Sequence, residues 1–109
     1  MSTLTVQIIT LTGVTPSLAA ATAGGDQWAN TGREFLHVKN DGAASINVTV
    51  NSQKACNQGF DHDVVIAVPA GEQRQIGPFS KERFNDDDGY ALVTYSDVTS
   101  LTIGVVRLP

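Results

Sequence analysis

Apolar and polar positions alternate with a period of two along most of this chain. Leu4, Val6 and Ile8 alternate with Thr5, Gln7 and, less cleanly, Ile9. Ile46, Val48 and Val50 alternate with Asn47, Thr49 and Asn51. Val64, Ile66 and Val68 alternate with Val65 and Ala67, and Leu101, Ile103 and Val105 with Thr102, Gly104 and Val106. Successive strand side chains point to opposite faces, so each set predicts a strand with one face on a core. Residues 35–39 and 90–95, rich in aromatic and β-branched types, predict two more strands.

Turn chemistry agrees with this reading. Asp41-Gly42, Pro69 with Gly71, and Asp88-Gly89 fall between the periodic runs, and the last of these is a hairpin signal ahead of the strand at 90–95. Segment 95–100 joins the last two strands. Pro69 and Pro78 cannot donate to a ladder, so they mark strand ends or edges. The expected fold is an all-β, antiparallel β-sandwich, Ig-like or jelly-roll-like, of about seven or eight short strands. One stretch breaks the pattern. Residues 14–32 are rich in small side chains, have no clear period, and are expected to form one long loop, with a helical turn at 19–23 conceivable before Gly24-Gly25 ends it. That loop carries the only tryptophan, Trp28. Such a residue either folds back to plug an end of the sandwich or anchors an interface.

The length of 109 residues suits a single domain spanning 1–109. One cysteine allows no internal disulfide, which fits a reducing compartment or a particle assembled in the cytoplasm. The net charge of −4 argues against a nucleic-acid partner, which calls for a basic face. Charged residues make up only 17% of the chain, below a typical ~25%, so much of the surface is short, neutral and cheap to desolvate. The first residues lack the basic and apolar regions of a signal peptide, and no run approaches the ~20 apolar residues needed to span a bilayer, so no membrane partner is expected.

The densest group of reactive side chains is 55–64, with Cys56, Asp61, His62 and Asp63. A structural zinc site wants four ligands, commonly in closely spaced pairs, and no second pair exists in the chain. The other histidine, His37, belongs on the outer or half-buried face of a strand. A cysteine nucleophile needs a base, an orienting group and an oxyanion hole, and only the first two have candidates here. The acidic run at 86–88 fails the EF-hand pattern, because Phe84 and Tyr95 fall where ligands are required. Gly24-Gly25 is followed by Asp26 and not by a phosphate-binding Lys-Ser/Thr. The residues therefore predict no catalytic, cofactor or metal site, and 55–64 reads as a structured loop whose Gly59 and Asn57 suit a turn.

Four phrases, "REFLHVKNDGAASINVTVNSQ" (33–53), "CNQGFDHDVVIAVPAGEQRQIGPF" (56–79), "RFND" (83–86) and "ALVTYSDVTSLTIGVVRL" (91–108), cover nearly the whole chain. Together they resemble small virion proteins encoded in the structural modules of tailed bacteriophages. The resemblance implies a capsid decoration, or cement, protein: made in the host cytoplasm, placed on the outer capsid surface, partnered by the major capsid protein, and forming a homo-oligomer, with a trimer favoured. Alternatives are a head–tail connector, a tail accessory protein, or a carbohydrate- or receptor-binding module on the virion. Under this reading the expected contacts are Leu4, Val6 and Ile8 on the first strand, Trp28, the loop residues Phe60, Asp61, His62 and Asp63, and Asp86 and Asp87 in the acidic turn.

Overall fold

The computed structural model describes residues 2–53 and 63–108. In chain order its elements are β1 (Ser2–Thr3), β2 (Val6–Ile8), β3 (Ala19–Ala20), β4 (Asp26–Ala29), β5 (Glu34–Asn40), β6 (Ile46–Val50), β7 (Val64–Val68), β8 (Gln73–Ile76), the single helical turn α1 (Lys81–Phe84), β9 (Tyr90–Tyr95) and β10 (Leu101–Arg107). One sheet runs β1-β4-β9-β6-β7; the other runs β2-β10-β5-β8, with β3 also on β10. The chain is an all-β sandwich. Both sheets are mostly antiparallel, and the two parallel pairs, β1 with β4 and β2 with β10, are both made by the N-terminal segment.

The predicted alternation is visible in the burial. Along β5, Leu36 and Val38 are buried while Phe35, His37 and Lys39 are half-buried on the other face. Ile46, Val48 and Val50 of β6, Ala91 and Val93 of β9, and Leu101, Ile103 and Val105 of β10 complete the facing layers. Each such aliphatic side chain contributes roughly 1.5–3 kcal/mol when fully buried. Among these elements only the β2–β3 and β6–β7 connections stay within one sheet; every other connection crosses to the opposite sheet. Asp41-Gly42 is thus a crossing corner. Asn40 holds it, donating to the carbonyls of Ala44 (2.9 Å) and Val68 (2.9 Å) and accepting from the Gly42 amide (3.0 Å).

Three expectations are corrected. The strand expected over 4–9 is only β2, Val6–Ile8, and β1 before it lies in the other sheet, so the N-terminal segment bridges the sandwich edge. The stretch 14–32 is not one long loop, because it contains β3 and β4. β4 is an inner strand, paired with β9 along its length, and its Trp28 is 0% exposed. Trp28 stacks at a tilt on Phe79 (centroids 5.6 Å), which meets Phe84 edge-on (5.2 Å). This aromatic group fills the end of the sandwich under α1. Asp88-Gly89 does precede a strand, but the element before it is α1, so the turn is no hairpin.

Candidate interaction surface

Two carboxylates, Glu34 and Asp26, are buried in the sandwich. Glu34 is 0% exposed. Its Oε1 accepts from the Thr31 amide (2.7 Å) and the Arg33 amide (3.3 Å), and its Oε2 from the Thr31 hydroxyl (2.8 Å) and the Arg107 guanidinium. Burial pushes this carboxyl up, and the Thr31 and Arg107 hydrogen bonds together outweigh it, so its pKa ends below the ordinary glutamate value. Asp26 is also fully buried; its Oδ2 accepts from the Tyr95 hydroxyl (2.6 Å) and the Thr22 amide (3.2 Å). Burial, then the neighbouring carboxylate, drives the Tyr95 phenol far above its normal range. Both carboxylates have their main partners in neighbouring turns and strands. Asp26 ties β4 to β9 and Glu34 ties β5 to β10.

The expected contact residues scatter. Leu4 and Val6 pack against the core, and only Ile8 of that strand stands out, 53% exposed. Trp28 is interior, so it is neither an exposed interface anchor nor a stacking platform for sugars. Phe60, Asp61 and His62 lie outside the described residues, as does Cys56. Asp63 uses its Oδ1 on the Ser52 amide (2.8 Å), closing the base of the β6–β7 connection. Asp86 accepts from the amides of Asp88 (2.9 Å) and Tyr90 (3.0 Å), so it shapes its turn, while Asp87 is exposed. His37 is on the outer face of β5, with Gln73 Oε1 at 2.7 Å from its Nε2 and Gln75 Nε2 at 3.3 Å from its Nδ1.

Exposed apolar area is concentrated instead. The exposed large hydrophobic side chains among the described residues are Ile8, Leu11, Val14, Val65 and Leu108. All but Val65 belong to one corner. Ile8 lies beside Arg107 in the β2–β10 ladder, and Leu108 follows Arg107. Leu11 sits on the turn closed by the Gly13 amide on the Thr10 carbonyl (3.0 Å), and Val14 follows that turn. Leu11 has no contact that reduces its exposure, which is 108% of the reference.

The return segment of the turn is tied to β2. The Gln7 side-chain amide grips the Ser17 backbone from both sides, donating to its carbonyl (2.9 Å) and accepting from its amide (2.7 Å). That strap lies against β10 at Gly104, where a Cβ would come within 2.8 Å of the Ser17 oxygen and 2.9 Å of Leu18. A cleft of about 280 Å³ opens beside the strap, between Leu4, Gln7, Ser17 and Ile103, with no charged side chain in its walls.

The outer face of the first sheet is uncharged throughout. Register and burial place Thr3, Gln27, Ala29, Tyr90, Leu92, Thr94, Asn47, Thr49, Val65 and Ala67 on it. The corner, of which sequence reasoning found only Ile8, and this face, which it missed, share one property: little charge must be desolvated to cover them. The low charged fraction was the signal for it. Compared with known proteins, the chain matches no family model, no curated protein sequence and no solved structure.

Proposed function

We propose that the chain is a structural virion protein of a tailed bacteriophage, a decoration protein that docks on the outside of the major capsid lattice and stabilises it. The observation that carries this reading is the apolar corner of Ile8, Leu11, Val14 and Leu108. Large apolar groups gathered on the ends of β2 and β10 and on the turn that follows β2 mark a protein-contact site. A strapped turn that presents a leucine to solvent is suited to insertion into a groove of a neighbouring protein, at small ordering cost because the turn is already held. The resemblance along 33–108 supplies the identity of that neighbour.

The test adds the purified protein to expanded capsids that lack it. The wild type is expected to co-sediment and to raise the temperature at which the shells break. Leu11→Asp is expected to weaken binding at least about tenfold, the ~1.4 kcal/mol that losing even part of one buried leucine contact represents. Absence of wild-type co-sedimentation, or a Leu11→Asp protein that binds unchanged, contradicts the proposal.

A further inference from the structure

We infer that β7 is the site at which two copies of this chain join, by antiparallel pairing of β7 with β7 into one continuous sheet. The inference stands apart from the capsid reading and concerns the free protein. It begins with the backbone. The Ser96 amide donates to Asn47, and the Asn51 amide to Leu92, so these β6 residues turn their main-chain groups toward β9. Because the direction alternates along a strand, Ile46, Val48 and Val50 turn theirs toward β7, opposite Val68, Ile66 and Val64. The amides and carbonyls of Val65 and Ala67 then face away from β6, and among the described residues β7 is the last strand of its sheet.

The other sheet margins carry protective features. β1 is only two residues long. The outer side of β10 is shared by β2 and β3 and crossed by the Gln7–Ser17 strap. β8 is Gln-Arg-Gln-Ile, with Arg74 paired to Glu72 at 3.0 Å. β7 is Val-Val-Ile-Ala-Val, with no charge, proline or bulge. Edges of that kind either pair or aggregate, and natural proteins blunt those that must stay single.

A second copy is the occupant that the charge pattern favours. The protein carries −4 overall, so contact between two copies is disfavoured where acidic groups would meet, and β7 and the sheet face beside it carry none. A two-fold axis through Ile66 sets Val65 opposite Ala67 of the second copy and the reverse, giving about four main-chain hydrogen bonds. Asp63 then falls opposite Pro69 of the second copy and not opposite its own counterpart. Val65, which is 58% exposed, is covered by this pairing on the outer face. Contact of this type is self-complementary and closes at two copies, in place of the trimer that the resemblance implies.

The test is sedimentation equilibrium of the full chain alone over a wide concentration range. The expected species is two chains of 11.5 kDa each. Ala67→Pro removes an amide that faces the open side, and Val65→Lys places a charge where the two copies meet; each is expected to raise the dimer dissociation constant at least about tenfold. Circular dichroism and the melting curve check that each variant is folded, and Val65→Lys decides if Ala67→Pro is not. Amide exchange adds a local readout, with Val65 and Ala67 protected in the dimer. A monomer or a trimer at all concentrations, a dimer untouched by a folded variant, or fast exchange at both amides overturns the inference.

Discussion

Replacing Trp28 by alanine is expected to cost about 3–5 kcal/mol of folding stability. The side chain is fully buried on an inner strand, against the Phe79 ring at 5.6 Å, with Phe84 behind it at 5.2 Å from Phe79. Its removal leaves a void that neither ring can fill without leaving the wall it packs on. A domain of this size has roughly 5–15 kcal/mol in total, so the variant should be marginal. A loss of 3 kcal/mol alone corresponds to a fall in melting temperature of roughly 10–20 °C. Urea unfolding followed by circular dichroism measures the difference. Leu11→Ala serves as the contrast: the residue is wholly exposed, and its variant should stay within about 0.5 kcal/mol of wild type. In the wild type, the single tryptophan should emit at short wavelength and shift to the red in step with unfolding. A Trp28→Ala protein within 1 kcal/mol of wild type, or a solvent-like native emission, would refute the placement of β4 inside the sandwich.

Tyr95→Phe takes one of two partners from the buried Asp26 Oδ2 and should cost about 1–3 kcal/mol in the same unfolding assay. Glu34 has a lowered folded-state pKa, so its contribution is fully present above the ordinary carboxylate value of 4.5 and is lost as pH falls through the folded value. Thermal stability should therefore decline below about pH 4.5, and Glu34→Gln should be less stable than wild type at neutral pH, with the gap closing as acid is added. Gly104→Ala sets a methyl against the Ser17 carbonyl and should cost about 1–3 kcal/mol or release the strap, which amide exchange over residues 14–20 would detect.

The period of two in sequence marks β2, β6, β7 and β10, while β5 and β9 stand out by their aromatic and β-branched residues. β4 was hidden because its inward positions are Asp26 and Trp28, and a buried carboxylate breaks the apolar alternation that marks a strand. Only the distant Tyr95 and the nearby Thr22 amide make that aspartate tolerable, and neither link can be read from local sequence. β8 was hidden for the opposite reason, since an edge strand of Gln-Arg-Gln-Ile contributes one buried side chain. Turn residues located the bends well but not their destinations: the same Asp-Gly pair serves a hairpin or a crossing between sheets, and Asn40 decides by reaching Val68. The apolar corner was legible in part. Ile8 was expected at a contact, whereas Leu11 and Val14 are exposed because of the Thr10–Gly13 turn and the strap behind it.

A density map of the virion tests the account most directly. The decoration reading predicts this fold on the outer shell, with the turn bearing Leu11 seated against the capsid lattice. Density for the chain at the neck or tail, or on the shell with Leu11 facing solvent, would contradict it.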